Sequence, residues 1–87
     1  MVQKTVTVKN PTGFHLRPAG ELCRAAMQFQ SRITLQYGHT EANAKSILSV
    51  LATGVRSGEE ILFICEGEDE AEALDAMVSL VEEGLGE

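Results

Sequence analysis

Residues 13–19 read GFHLRPA and hold the side chains with the clearest chemical potential in the chain. His15 carries an imidazole, which is largely neutral near neutral pH and can act as a nucleophile. Arg17 follows closely and offers a permanent cation with a planar fork of N–H donors that suits phosphate oxygens. Together these residue types indicate a histidine that accepts a phosphoryl group and passes it onward.

The same stretch predicts the start of a helix. Proline is accommodated in a first helical turn, where its missing N–H would have had no partner, and it disfavours helical geometry at the residue before it. Pro18 therefore places the helix start close to residues 16–18, and Gly13 lets the preceding loop turn tightly. The unpaired N–H groups and positive partial charge of a helix start bind phosphate. The sequence thus predicts an anion site beside His15.

A phosphoryl donor is not encoded in the chain. We find no Walker loop, no metal-ligand cluster and no pair of catalytic acids in the sequence. We therefore expect no metal or cofactor, and we expect the phosphate to come from another molecule. A stand-alone enzyme is disfavoured, and the protein is expected to be a substrate of kinases.

Length and composition favour one small domain over residues 1–87, with a thin core. No apolar run approaches the roughly 20 residues that span a bilayer, and the N-terminus lacks the apolar segment of a signal peptide. We therefore expect a cytoplasmic protein without membrane insertion. Cys23 and Cys65 are isolated in the sequence, and we expect both to be small buried thiols that stay reduced.

The net charge of −6 is unevenly distributed. Residues 1–56 carry seven Lys and Arg against two acids, whereas residues 57–87 carry eleven acids and no Lys or Arg. Direct binding to nucleic acid is not expected for such an acidic chain without interleaved aromatic and basic residues. The acidic half is expected to be a solvated helix face, and the basic half is expected to attract acidic protein partners.

Apolar periodicity and turn signals predict four strands and three helices in the order β-α-β-β-α-β-α. The expected elements are a strand over 2–8, a helix from 16–18 to near 29, strands over 33–37 and 40–44, a short helix between Ser46 and Gly54, a central strand over 61–65, and a last helix. Asp69 is expected to cap the last helix in a capping box with Glu72, and the helix carries an apolar stripe that reaches Leu85. This order matches a split βαβ pattern and predicts an α+β fold. The expected architecture is an open-faced β-sandwich, with a four-stranded, mainly antiparallel sheet and three helices on one face.

Residues 13–19 resemble the active-site signature of HPr, the histidine-containing phosphocarrier of the bacterial phosphoenolpyruvate-dependent sugar phosphotransferase system. A second stretch, residues 44–51 (AKSILSVL), resembles the regulatory serine region of the same family. Together with the length and the element order, the resemblance covers nearly the whole chain and implies a single HPr-like domain over residues 1–87.

The resemblance implies a role for each matching residue. His15 would accept phosphate on Nδ1 from phosphorylated Enzyme I and donate it to IIA domains of sugar permeases. Arg17 would hold the phosphoryl oxygens, and Pro18 would fix the helix start. Ser46 would be the target of HPr kinase/phosphorylase in bacteria that have it, and the Ser46-phosphorylated form would serve as corepressor of a LacI-type catabolite regulator.

A docking surface for these partners is expected to join the first turns of two helices, with Arg17 at its centre. The expected docking residues are Phe14, Leu16, Gly20, Arg24, Ile47, Leu48 and Leu51. Phe14 fits core packing as well as docking. We expect a monomer, because nothing in the sequence indicates an obligate dimer.

Four positions depart from the residues usual or frequent in the family: Leu16 stands for Ala, Gly20 for Thr, Leu48 for Met and Ser49 for Gly. We expect these changes to leave the chemistry intact and to affect which partners fit. His39 matches no family site and is expected to be an exposed turn residue.

Two other functions remain open. The chain could be a paralogous carrier in a nitrogen-related or dihydroxyacetone-kinase phosphorelay, which would use the same chemistry with other partners. It could also be a regulatory binding module that acts through Ser46 alone. The relatives specialised in that way lack the histidine, so the presence of His15 with Arg17 argues against Ser46 as the sole functional residue.

Overall fold

A computed structural model describes all residues from 1 to 87. The strands are β1 (Val2–Thr7), β2 (Arg32–Tyr37), β3 (Thr40–Asn43) and β4 (Glu60–Glu66), and the helices are α1 (Leu16–Ala26), α2 (Ile47–Ala52) and α3 (Glu70–Glu82). The predicted order of elements is confirmed. The first helix ends a little earlier than expected, and Phe29 lies beyond it, half-buried against the core. None of the three helices has the length and apolar character needed to cross a membrane.

The four strands form one sheet in the order β1-β4-β2-β3, and every neighbouring pair is antiparallel. Strand β4 lies between β1 and β2, which confirms the prediction that this apolar run is central. Gly38 and His39 form the two-residue turn that joins β2 to β3, and His39 is exposed there as expected.

The sheet is covered on one face and open on the other. In β4 the side chains of Ile61, Phe63 and Cys65 are buried, whereas Leu62 and Ile64 between them are only half-buried. This alternation follows from the period of two along a strand. Helix α3 packs against β1 and β4, and α1 contacts both other helices. The α+β open-faced architecture is therefore confirmed. Cys23 and Cys65 are free and buried, as predicted.

Asp69 is the N-cap residue of α3, as predicted, but the predicted capping box with Glu72 is wrong. The Asp69 side chain makes no capping hydrogen bond, because its carboxylate is turned toward the connection between α1 and β2. It accepts hydrogen bonds from the backbone N–H groups of Gln30 and Ser31, each at 2.9 Å, and from the Ser31 hydroxyl. These bonds, led by the one from Ser31, hold the pKa of Asp69 below its ordinary value. The start of α3 is thereby tied to the start of β2.

Helix α3 ends at Glu82, so Leu85 lies outside it, although the predicted apolar stripe reached that residue. Leu85 is buried all the same, because the chain after the helix folds back and places it against the core.

Helices α1 and α2 run side by side in opposite directions. The thiol of Cys23, late in α1, donates to the carbonyl oxygen of Lys45 just before α2, at 3.1 Å. At the other end, Leu16 and Leu51 line the same surface groove. The start of α1 therefore lies beside the end of α2, and the start of α2 lies beside the later part of α1.

Candidate functional site

His15 lies immediately before the first turn of α1, as the N-cap residue. Its backbone is extended, with φ −75° and ψ 177°, and its carbonyl oxygen accepts the first helical hydrogen bond from Ala19 N–H at 2.9 Å. The imidazole is exposed and makes no hydrogen bond within the protein. Its ring nitrogens are therefore accessible to a reagent from solution.

The start of α1 offers unused backbone donors beside this ring. The N–H groups of Leu16 and Arg17 have no partner within the protein, and buried Pro18 has no N–H to satisfy. The first turn holds no acidic residue that would neutralise the positive end of the helix. This helix start thus has the donors and the partial charge that bind an anion.

Arg17 is exposed and forms no ion pair. Arg24, two turns further along α1, is also exposed, but its guanidinium is paired with the Glu21 carboxylate. Of these two cations, Arg17 is the one available to an incoming phosphate. The structure therefore brings His15, Arg17 and Pro18 together at one exposed helix start, as the sequence predicts.

The loop before His15 is held closely against the segment after α2. Gly13 has φ +66°, and a Cβ atom there would lie 2.6 Å from the carbonyl oxygen of Val55 and 2.8 Å from Arg56 Cα. The next residue, Phe14, donates its N–H to the same Val55 oxygen at 3.0 Å. Only glycine fits both the conformation and the close approach. Gly13 thereby sets the path of the chain into His15.

A surface groove of about 450 Å³ opens beside His15, between this loop and the end of α2. Its lining residues are Thr12, Phe14, His15, Leu16, Leu51, Gly54, Val55 and Arg56. Sequence reasoning missed Thr12 and Arg56, because only the folded loops bring them next to the histidine. No group of three His, Cys, Asp or Glu side chains lies together in a way that could hold a metal ion.

Three of the expected docking residues are exposed apolar side chains. Leu16 is 67% exposed, Leu48 is 79% exposed and Ile47 is 38% exposed. Leu51, which lines the groove together with Leu16, is half-buried. We call these four residues the apolar patch. Met27, the residue that follows α1, is also largely exposed.

Two expected docking residues are not on the surface. Phe14 is 3% exposed and belongs to the core cluster, so core packing is the correct one of its two readings. Gly20 is also buried, and having no side chain it offers a partner little contact. A Cβ atom at Gly20 would meet no other part of the protein within 4 Å.

Ser46 is the N-cap residue of α2, as predicted. Its hydroxyl oxygen accepts a hydrogen bond from Ser49 N–H at 3.2 Å, and its side chain is half-buried. The neighbouring Lys45 directs its ammonium group to the carbonyl oxygen of Phe29 at 2.6 Å. Ser46 thus lies next to Ile47 and Leu48 of the apolar patch, beside the later part of α1, where Cys23 contacts Lys45.

The family described as PTS HPr component phosphorylation site matches residues 2–83. A phosphocarrier protein HPr from Treponema pallidum is 44% identical over 80 residues, which cover 92% of this chain and 91% of that protein. The multiphosphoryl transfer protein of Haemophilus influenzae is 36% identical over 86 residues. That match covers 95% of this chain but only 17% of the Haemophilus protein, so the chain spans a small part of that relative's length.

Solved structures of HPr and of Crh are also similar to this chain. The crystal structure of an HPr from Thermoanaerobacter tengcongensis is 39% identical and superimposes with a TM-score of 0.96, over 100% of this chain and 98% of that one. The structure of Crh, a catabolite repression protein of Bacillus subtilis, is 38% identical with a TM-score of 0.78, over 97% of each chain. That Crh is described as a domain-swapped, intertwined dimer.

Proposed function

This chain belongs to the HPr family of phosphocarriers, and we propose that it accepts a phosphoryl group on His15 from phosphorylated Enzyme I and passes it to IIA domains of sugar permeases. The observation that carries the proposal is the start of α1. There an exposed imidazole with no hydrogen bond stands next to unused backbone donors and an unpaired arginine. In this role residues 1–87 act as one carrier domain, which is a substrate of its partners and not a catalyst.

The transfer step needs a nucleophile and charge stabilisation from this chain. In the proposed step, the lone pair of Nδ1 on neutral His15 attacks the phosphorus atom held by Enzyme I. The new N–P bond forms as the donor's bond to phosphorus breaks, and the donor group keeps that electron pair. The proton on Nε2 of His15 stays in place, and transfer to a IIA domain reverses these roles.

Phosphoryl transfer spreads negative charge over three equatorial oxygens, and catalysis of it depends mainly on positioning and electrostatic stabilisation. In this chain the guanidinium of Arg17 and the N–H groups of Leu16 and Arg17 are the donors free to meet that charge. Pro18 keeps the helix start fixed beneath them.

The apolar patch and the surrounding positive charge suit a small, transient interface with acidic partners. We propose that Leu16, Ile47 and Leu48 contact Enzyme I and IIA domains in turn, with Arg17 close to the exchanged phosphate. The carrier would work in the cytoplasm, where buried thiols such as Cys23 and Cys65 stay reduced. We propose a monomer for the exchange, because His15, Arg17 and the free N–H groups of the helix start all come from one chain.

Ser46 supports a second, regulatory function in the same protein. The N-cap position and the similarity to Crh favour it. We propose that HPr kinase/phosphorylase phosphorylates the Ser46 hydroxyl and that the product binds a LacI-type catabolite regulator. The added charge would lie beside Ile47 and Leu48, where it would weaken the docking of an acidic partner. His15 argues against regulation as the only function, and a nitrogen-related or dihydroxyacetone-kinase phosphorelay would differ in its partners alone.

Phosphoenolpyruvate and Enzyme I test the carrier function directly. Wild type, His15→Ala and His39→Ala are incubated with both, and acid-labile phosphate on each protein is measured. His39→Ala is the matched control, because His39 is an exposed histidine in the turn between β2 and β3. We expect label on wild type and His39→Ala and none on His15→Ala. Label on His15→Ala, or no label on folded wild type with several Enzyme I homologues, would contradict the proposal.

A further inference from the structure

The five residues after α3 turn back toward the loop that precedes His15. Leu85 takes a left-handed backbone conformation, with φ +52°, and its N–H donates to the carbonyl oxygen of Leu80 at 3.0 Å. Glu87 N–H donates to the carbonyl oxygen of Gly84 at 2.9 Å. With Leu85 buried against the core, this turn holds Glu87 in a fixed position.

The Glu87 carboxylate is bound to the His15 loop. Oε1 accepts hydrogen bonds from the Thr12 hydroxyl at 2.8 Å, from Thr12 N–H at 3.3 Å and from the Asn10 amide at 3.2 Å, and Oε2 also lies 2.8 Å from the Thr12 hydroxyl. The bond from Thr12 leads in holding the pKa of Glu87 below its ordinary value, and the positive charge of Arg17 acts in the same direction. The carboxylate is therefore ionised and bound near neutral pH.

Asn10 transmits this contact toward the histidine. Its side chain is 1% exposed, and its amide nitrogen donates both to Glu87 and to the carbonyl oxygen of Gly13, the latter at 2.6 Å. Gly13 N–H in turn donates to the carbonyl oxygen of Asn10 at 3.2 Å. The series of hydrogen bonds from Glu87 through Asn10 thus reaches Gly13, two residues before His15.

We propose that Glu87 is a positioning residue for phosphoryl transfer, because its carboxylate fixes the loop from Asn10 to Phe14 and thereby the place of His15. The inference rests on the proposed carrier function. Thr12 is exposed, and Glu87 is its only side-chain partner. Without the carboxylate, this side of the loop loses its anchor, whereas the Val55 side keeps its bond to Phe14. A reacting group that is displaced by about 1 Å can lose about 100-fold in rate, so a smaller displacement of His15 should cause a smaller loss.

Glu87→Ala and Thr12→Val each remove one partner of the hydrogen bond between the Thr12 hydroxyl and the Glu87 carboxylate. The double variant combines the two substitutions. Rapid-quench transfer from phosphorylated Enzyme I gives the maximal rate and the half-saturating concentration separately. We expect each single variant to lower the maximal rate about fivefold, with the half-saturating concentration within about twofold of wild type. The double variant should lose no more than the single ones, because both changes break the same contact. Thr12→Ser, which keeps the hydroxyl, should restore the rate.

Glu83→Ala is the control, because Glu83 is an exposed glutamate close in sequence that accepts no side-chain hydrogen bond. Amide hydrogen exchange provides a readout independent of transfer. In Glu87→Ala the N–H group of Gly13 should exchange about tenfold faster, with that of Phe14, which keeps its bond to Val55, and core amides such as that of Phe63 unchanged.

The outcomes separate this inference from the proposed function. If wild type carries no phosphate on His15, the carrier function fails. If wild type is labelled and Glu87→Ala transfers at the wild-type rate while remaining folded, the positioning role alone is overturned. Uniformly faster exchange in the core, with an unchanged rate per folded molecule, would also overturn it, since Glu87 would then serve stability only.

Discussion

The N-termini of α1 and α3 differ in whether their charged and polar groups have partners within the protein. At α3, Glu70 and Glu72 lie in the first turn, Glu70 is paired with the N-terminal ammonium group at 3.0 Å, and Asp69 is bound to the Gln30–Ser31 backbone. At α1 the first turn has no acid, Arg17 has no ion pair and His15 has no side-chain hydrogen bond. The charge at one start is used to join elements of the fold, while the other is left open to a ligand.

The largest effect that would test this contrast comes from Arg17→Ala. Removing the unpaired guanidinium should slow transfer from phosphorylated Enzyme I about 100-fold, as loss of one transition-state donor does elsewhere. Thermal stability should not change, because Arg17 makes no contact that the fold needs. The control is Arg24→Ala, whose exposed ion pair contributes little, so its rate should stay within about threefold of wild type. Equal losses in both variants would mean that α1 supplies only diffuse positive charge.

Gly13→Ala should distort the loop that positions His15 at the start of α1. The added Cβ meets backbone atoms at 2.6 and 2.8 Å at a positive φ, so we expect the free energy of unfolding to fall by about 2 kcal/mol. Urea unfolding followed by circular dichroism measures this. Gly20→Ala is the matched control within α1 and should raise stability by up to about 1 kcal/mol, because its Cβ meets nothing nearby. Stability of Gly13→Ala equal to wild type would show that the loop can relax.

Leu48→Asp tests whether the apolar patch docks partners. We expect the half-saturating concentration in transfer from Enzyme I to rise about tenfold with the maximal rate unchanged, because the change removes apolar contact and adds repulsion toward an acidic partner. Ser79→Asp adds the same charge to an exposed position of α3 and should leave both values unchanged. A normal half-saturating concentration for Leu48→Asp would remove Leu48 from the interface.

The smallest expected effect is the pH dependence of stability that Asp69 contributes at the start of α3. The folded pKa of Asp69 lies below its ordinary value of 3.8, so the carboxylate contributes stability above that value and loses it as the pH falls through the lowered folded pKa. Asp69→Asn should be less stable than wild type near neutral pH, and the difference should shrink as the pH falls below about 4. Urea midpoints across this range measure it, and a constant difference would contradict the assignment.

The element order and the position of the site were predictable, because both depend on residues that are close together in the sequence. Strand alternation, the helix-starting Pro18 and the sequence of Gly13, His15 and Arg17 are local signals that the fold leaves intact. The N-cap role of Ser46 was predictable for the same reason.

Apart from the ends of α1 and α3, the incorrect predictions concern contacts between distant parts of the chain. Asp69 is a suitable cap by its type, but donors 38 and 39 residues away bind its carboxylate instead. Phe14 is an apolar residue in a polar loop, and only the approach of Val55 shows that it is buried. The antiparallel course of α1 and α2 and the contact of Glu87 with Thr12 likewise arise from tertiary packing.

The central claim is that His15 carries the phosphate, and phosphorus–proton correlation NMR on the phosphorylated protein tests it most directly. After incubation with phosphoenolpyruvate and Enzyme I, we expect a single N-linked phosphorus signal that correlates with the ring protons of His15, with the ring of His39 unshifted. A phosphorus signal that correlates with His39 or with Ser46, and none at His15, would contradict the claim.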